Sequence, residues 1–387
     1  MTRPWTLPSI LGISTILLAG CATTSRPYYP PTTGDPIADG LVAIEQAPPH
    51  DRGLWLYITA AAAMQRSQFA QAKPLLDEAI ARIEGRFTIT DEEKRSRGTF
   101  GRERNKPFIG EPYERSMAYF YRGIIYWMDR EWDNARACFR SAQFHDSSEE
   151  AGYDGDYALF DYLDGFLTSK LGGDGSSKLE SAKKLSKLAK PDTFPANANV
   201  FIFFEMGNGP SKYKSGEFGQ KLQFRPGGSR AEQLQVKTDK HQWTLDPADD
   251  LSYQAQTRGG REMDHILGNQ AVLKSVTEDL GDAAILSGVI VGQDQKHQEA
   301  AIALVAAGVL SKIISGAASV DADTRQWNNL PHYIGFAGIE LSPGAHDLVF
   351  DFVDQGGKAI PSLQRQASVQ IPSSKPHSDT VIFVSDK

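Results

Sequence analysis

Apolar positions along the chain follow three different patterns. From Ile10 to Ala19 they form a short run without a charge. Between about residues 52 and 190 they recur at helical spacing, as in Met117, Phe120, Ile124, Trp127 and Met128, which line one face of a helix. After Pro195 they gather into short runs bounded by Gly, Pro and Asn. The run Val200-Phe201-Ile202-Phe203-Phe204-Glu205 predicts a strand stopped by Gly207-Asn208-Gly209-Pro210, and further strands are expected at 221–224, 336–341, 348–353, 367–371 and 380–384. Turn residues separate several of them, at Ser342-Pro343-Gly344 and Asp354-Gln355-Gly356-Gly357. Short strands at this spacing predict a small antiparallel sheet or sandwich. A mainly helical insertion at about 261–320 interrupts them. Its last 21 residues, Ala300 to Val320, are just long enough to span a bilayer, but Lys312 and the Ala/Gly content favour a packing helix.

The N-terminal run is the length of a signal-peptide core, too short to span a bilayer as a mature helix. It ends in Leu18-Ala19-Gly20-Cys21, which resembles the lipobox of bacterial lipoproteins. That resemblance implies cleavage before Cys21, a diacylglycerol thioether on its sulfur and acylation of the new amino terminus. Several acyl chains, at ~0.8 kcal/mol per buried methylene, anchor a folded domain firmly. Ala22, rather than Asp, implies the outer membrane in a two-membrane bacterium, with the protein facing the periplasm. Residues 1–20 are thus expected to be a signal peptide. Residues 21–40, with Pro27, Pro30 and Pro31 among Ser and Thr, are expected to form a tether.

Residues 41–192 are expected to form a helical repeat domain. The stretch Ser116 to Asp146 resembles a tetratricopeptide repeat (TPR): Gly123 and Tyr126 fall on its first helix, and Trp132, Ala135, Phe139 and Ala142 on its second. An earlier, weaker copy carries Leu56, Phe69, Ala72, Leu76 and Ala79, with Ala60 and Ala63 in place of the Gly and Tyr; Pro74 within it is expected to kink its second helix. A third copy, from Tyr157 to Lys190, keeps Gly165, Ala182 and Ala189 in register only if Leu171 to Ser177 is an insertion. In such a repeat the stripe Met117, Phe120, Ile124, Trp127 and Met128 faces the inner groove. A partner's peptide or helix is one occupant for it; the chain's own C-terminal domain or the 85–112 segment is the other, and the blander. Residues 197–387 form the β-rich domain, so the expected class is α+β.

Composition narrows the functional classes. The 387 residues carry 41 basic and 48 acidic side chains, a formal net charge of −7, and removal of residues 1–20 with Arg3 takes this to 40 − 48 = −8. That balance excludes the basic stripe of a nucleic-acid binder. A local excess of +5 does occur, where Lys94, Arg95, Arg97, Arg102, Arg104 and Lys106 face only Glu103. It reads as a solvated loop, or as a contact to anionic head groups or cell-wall polymer. Two cysteines are too few for a disulfide framework. With Cys21 lipidated, Cys138 is expected to be a buried small hydrophobe without a disulfide partner.

Three further motifs follow in order: Gly110-Glu111-Pro112-Tyr113-Glu114-Arg115; Glu205-x-Gly207-x-Gly209-Pro210-x-Lys212; and Asp323-Thr324-Arg325-x-Trp327-x-x-Leu330-Pro331. Leu341-Ser342-Pro343-Gly344 then opens a hairpin. With the lipobox and the TPR-like helices, this order resembles a group of largely uncharacterised bacterial TPR-containing outer-membrane lipoproteins, over about residues 50–355. The resemblance implies location and architecture, and it carries over no catalytic residue. Read from the residues alone, Glu205 to Lys212 is a strand end, a glycine turn and a surface ion pair. Arg325 is expected to bridge Asp321 or Asp323 and to stack on Trp327. The competing reading places a ligand site at Glu205, Lys212, Asp323, Arg325 or Trp327.

Catalytic signatures are lacking. The chain has no HExxH, CxxC, GxSxG or Walker loop, and its eight histidines are scattered, so no metal site, cofactor or catalytic residue is assigned. Asp156, Asp161 and Asp164 recur at helical spacing and read as a solvated face rather than an acid–base pair. The expected function is therefore a lipid-anchored envelope lipoprotein, non-catalytic, that holds protein partners through the TPR-like groove. The alternative is a periplasm-facing binding protein or enzyme for a cell-wall glycan or another small envelope ligand. Oligomeric state is not legible.

Overall fold

The computed structural model describes residues 28–29, 32–87, 106–146, 155–188, 190–216, 221–258, 322–373 and 379–387. The fold is mixed α+β, in three layers. The first layer holds helices α1 (Pro36–Gln46), α2 (Arg52–Gln65), α3 (Phe69–Phe87), α4 (Pro112–Met128), α5 (Trp132–Asp146), α6 (Ala158–Lys170) and α7 (Ser176–Leu185), each packed on the next. Local chemistry starts several of them. Asp35 accepts from the Ile37 N–H at 3.0 Å ahead of Pro36 in α1, and Pro112 opens α4 while Glu114 accepts from the Glu111 N–H at 2.7 Å. Helix α3 runs on through Pro74. Leu56, Ala60, Ala63, Ala72, Leu76 and Ala79 are all buried where α2 crosses α3. Gly123 lets α4 approach α5 closely, since a Cβ there would lie 2.7 Å from Cε1 of Phe139. Gly175 likewise comes so near Gly165 that a side chain would strike the Gly165 carbonyl, which ties α6 to α7 across the 171–175 turn.

The strands are β1 (Val200–Met206), β2 (Ser211–Ser215), β3 (Lys221–Arg225), β4 (Gln233–Lys237), β5 (Gln242–Leu245), β6 (Asp249–Asp250), β7 (Tyr333–Ile339), β8 (Gly344–Val353), β9 (Arg365–Ile371) and β10 (Thr380–Ser385); helix α8 (Leu251–Arg258) follows β6. A central sheet runs β10-β1-β7-β6, an outer sheet β5-β4-β8-β9, and β2 and β3 pair as a separate ribbon. The sheets are antiparallel as expected except at one pairing, since β1 and β10 are parallel, from Val200 opposite Thr380 to Glu205 opposite Ser385. Ser342-Pro343-Gly344 carries the chain from β7 in the central sheet to β8 in the outer one, and Gly344 opens the expected hairpin, in which β8 pairs antiparallel with β9. Strands β4 and β5 leave no apolar run in the sequence, because their apolar residues alternate with Gln, Thr and Lys. Gln233-Leu-Gln-Val-Lys237 buries only its second and fourth residues.

Strand β1 explains the layering. All seven of its residues are buried, which requires cover on both faces. Phe201 and Phe203 point into the core shared with the helices, as do Ile334, Phe336 and Phe383. Val200, Ile202, Phe204 and Met206 enter a second core, against Leu234, Val236, Leu348, Phe350 and Phe352 of the outer sheet. The helical insertion expected at 261–320, including the apolar 300–320 stretch, lies outside the described residues. Among the described residues, no helix is long and apolar enough to cross a membrane.

Candidate functional site

The inner face of the helical layer is occupied by the chain itself. Met117, Phe120, Ile124 and Trp127 are each 0% exposed, and Met128 packs partly buried on the same core. Trp127 meets Phe201 at 5.1 Å, Phe203 at 5.6 Å and Phe336 at 5.7 Å between ring centroids, and Phe120 meets Phe203 at 6.0 Å. The Trp127 indole N–H donates to Asp379 at 2.9 Å, and Lys170 donates to the other oxygen of that carboxylate at 2.8 Å. The stripe that sequence offers as a partner groove is thus a seam between helices and central sheet. Aromatic pairs of this kind contribute about 0.5–1.5 kcal/mol each beyond their buried area, and a free peptide would have to displace several at once.

Beside that seam the three ordered motifs converge. Glu114, at the start of α4, is fully buried. Its Oε2 accepts from Lys212 Nζ at 2.6 Å and its Oε1 from the Trp327 N–H at 2.7 Å. Lys212 Nζ also donates to the Arg325 carbonyl at 2.9 Å, and the Lys212 N–H donates to the Gln326 side chain at 2.6 Å. The side chains of Lys212 and Glu114 are 1% and 0% exposed, which corrects the expectation of a surface pair. A single carboxylate therefore binds residues of all three motifs together.

Arg325 extends the network to the helical layer. Its Nε and Nη2 grip Asp323, its Nη1 donates to Asp51 at 2.9 Å and to the His50 carbonyl at 3.1 Å, and its Nη2 reaches the Lys106 carbonyl at 2.9 Å. Burial pushes the Asp323 carboxyl upward, but the hydrogen bonds and charge of Arg325 overcome this and hold it below the usual carboxylate range. Burial likewise disfavours the Arg325 guanidinium, and Asp323 and Asp51 more than restore it. The expected bridge to Asp323 is present. The expected stacking partner is not: Arg325 lies over Phe108, whereas Trp327 stacks on Tyr57 at 4.5 Å and 16°. Asp321 lies outside the described residues.

Glu205 sits at the helix-facing end of β1 and is fully buried. It accepts from the Tyr121 hydroxyl, from Ser385 Oγ at 2.9 Å and from Gln65 Nε2 at 3.0 Å. Burial raises its pKa, and the Lys387 charge with these three donors works against that rise. Elsewhere Asp249 accepts from the Ala158 and Leu159 N–H groups at 3.1 and 2.8 Å, capping α6 from the β half. Burial pushes its carboxyl up to about 7 against those two hydrogen bonds.

The carboxylates read as a solvated face are corrected too. Asp161 and Asp164 are 4% and 3% exposed; Asp161 binds Lys178 at 2.7 Å and Asp164 binds Arg136 at 2.8 Å, while Asp156 precedes the helix. Cys138 is buried, its thiol pushed up to about 12 by burial. Cys21 lies outside the described residues, as does the basic run except Lys106. Among the described residues no group of three or more His, Cys, Asp and Glu could hold a metal ion. A shallow cleft of about 380 Å³, lined by Leu188, Glu232, Gln233, Asp246, Pro247, Tyr333, Asp354 and Gln355, includes none of the sequence-derived site residues.

Gln65, Tyr121, Asp379 and Ser385 were missed by sequence reasoning, as was the role of Glu114 within its motif. No local signal marks the first four. Glu114 alone had one, as the acidic residue three places after Glu111 at a helix start. No family model matches the chain, and neither do any curated protein or solved structure.

Proposed function

We propose that this chain is a lipid-anchored envelope lipoprotein, non-catalytic, whose helical layer and β layers act as one rigid interaction scaffold. The observation that carries the scaffold reading is Glu114, which binds Lys212 of the β half and the Trp327 backbone at one buried point. A repeat array built to open and close around a peptide would not bury an ion pair across its inner face. The helices are read as TPR-like hairpins on the close approach of Gly123 to Phe139 and on buried Ala135, Ala142, Ala72 and Ala79 at the corresponding crossings. Protein partners, on this reading, meet surfaces other than the filled groove.

The anchor is read from Leu18-Ala19-Gly20-Cys21, and the outer membrane from Ala22. Metabolic labelling with palmitate and sensitivity of processing to globomycin test it. Label and membrane fractionation are expected for the native chain and lost in Cys21→Ala. A Cys21→Ala chain that still fractionates with the membrane refutes the anchor.

A further inference from the structure

The segment leading into α1 is fastened to the helical layer well before the helix begins. Tyr28 sets its ring edge-on to Trp55 at 6.2 Å, and its hydroxyl donates to Gln46 at 3.2 Å. Thr33 donates to Asp39 through both its N–H and its hydroxyl, and Asp35 pairs with Arg66 at 2.9 Å. Only residues 22–27 separate Cys21 from Tyr28. Fully extended, that length reaches at most about 25 Å. A tether free as far as Asp35 would reach about 50 Å.

The same end of the molecule exposes two of its large apolar side chains. Tyr29 is 80% and Leu41 45% exposed. The carboxylates nearby are engaged, Asp35 and Asp39 as above and Glu45 beside the charge of Arg52. A phenol ring suits the head-group layer, where its apolar body and polar tip are both satisfied.

From this we infer that the α1 end of the helical layer lies against the lipid surface, with Tyr28 as the latch that shortens the tether and Tyr29 and Leu41 as the lipid-facing side chains. The inference rests on the reading of Cys21 as the lipid-bearing residue. It makes the protein a membrane-proximal body of defined orientation, with α7, at the other end of the helical layer, turned away from the bilayer.

The test uses the chain Cys21–Lys387 coupled through Cys21 to a maleimide-headgroup lipid in phosphatidylethanolamine/phosphatidylglycerol vesicles. Buried Cys138 does not compete for the coupling. A donor fluorophore is carried on an azide-bearing residue at position 41 or, in α7 at the other end of the helical layer, at exposed position 177, and the acceptor on head groups. Donor emission at position 41 is expected to fall several-fold and emission at 177 to be largely retained. Tyr28→Ala should restore much of the emission at position 41. Equal quenching at both positions, or no response to Tyr28→Ala, overturns the inference. Palmitate on Cys21 in cells together with equal quenching refutes the orientation alone, whereas an unlabelled Cys21 refutes both the anchor and the orientation.

Discussion

Lys212 Nζ donates to Glu114 Oε2 across 2.6 Å, with the two side chains 1% and 0% exposed and 98 residues apart in sequence. The pair joins the ribbon β2–β3 to the start of α4, and so one half of the molecule to the other. Desolvating both charges offsets most of their attraction, so the pair specifies how the halves dock more than it stabilises them.

Removing one partner should therefore be much worse than removing both. Lys212→Met alone leaves a buried carboxylate and is expected to lose about 3–5 kcal/mol. Lys212→Met with Glu114→Gln should regain a large part of that loss, since the amide oxygen still accepts a hydrogen bond. Urea denaturation of the two single variants and the double variant gives the coupling, and additive losses would contradict the assignment.

The filled groove makes a prediction opposite to that of an open one. Phe120→Ala and Trp127→Ala remove side chains that are 0% exposed and should each cost about 3–5 kcal/mol. Thermal melts followed by circular dichroism distinguish the cases: a nearly unchanged melting temperature would mean that these residues line free surface.

Asp249 couples stability to pH. Its carboxyl is pushed up to about 7 in the folded chain, against about 3.9 in an unfolded one. Between those values the folded state keeps a proton that the unfolded state releases. The contribution of Asp249 is thus fully present below about pH 4 and is lost as the pH rises through about 7. Unfolding free energies measured from pH 4 to 8 should show a downward slope that Asp249→Asn flattens.

The α4–α5 crossing tests the repeat geometry. A Cβ at position 123 would meet Phe139 at 2.7 Å, so Gly123→Ala forces the ring or the helix to shift and should cost about 1–3 kcal/mol. The double variant Gly123→Ala, Phe139→Leu should be less destabilised than the sum of its parts. Strict additivity in denaturation midpoints would show that the contact is not limiting.

Cys138 offers a label-based check on the same core. Its thiol is buried and pushed up to about 12, so at pH 8 it should resist iodoacetamide until the chain unfolds. Mass spectrometry along a urea series should show alkylation tracking the unfolding transition, and full labelling in native buffer would contradict the burial.

Local pattern was enough for much of the architecture. Helical spacing around Phe120, Gly123 and Trp127 located α4, and the unbroken run at Val200–Glu205 located β1, because burial of one face or of two leaves a periodicity in the chain. Alternation with Gln and Thr hid β4 and β5, which cover only one side of the second core. The change from helices to strands and the burial of Cys138 were legible in the same way.

What tertiary structure alone decided is which surface covers which. The stripe from Met117 to Met128 admits a partner groove as well as the blander cover by the chain itself, since an apolar face records that it is covered but not by what. Glu205 and Lys212 read as a surface ion pair, and Arg325 as a local bridge to Asp321 or Asp323, because the partners Tyr121, Glu114 and Asp51 come from 84, 98 and 274 residues away. No local spacing encodes a pairing across such distances. It is set by where the central sheet docks on the helices, and that docking turns three separate motifs into one buried seam.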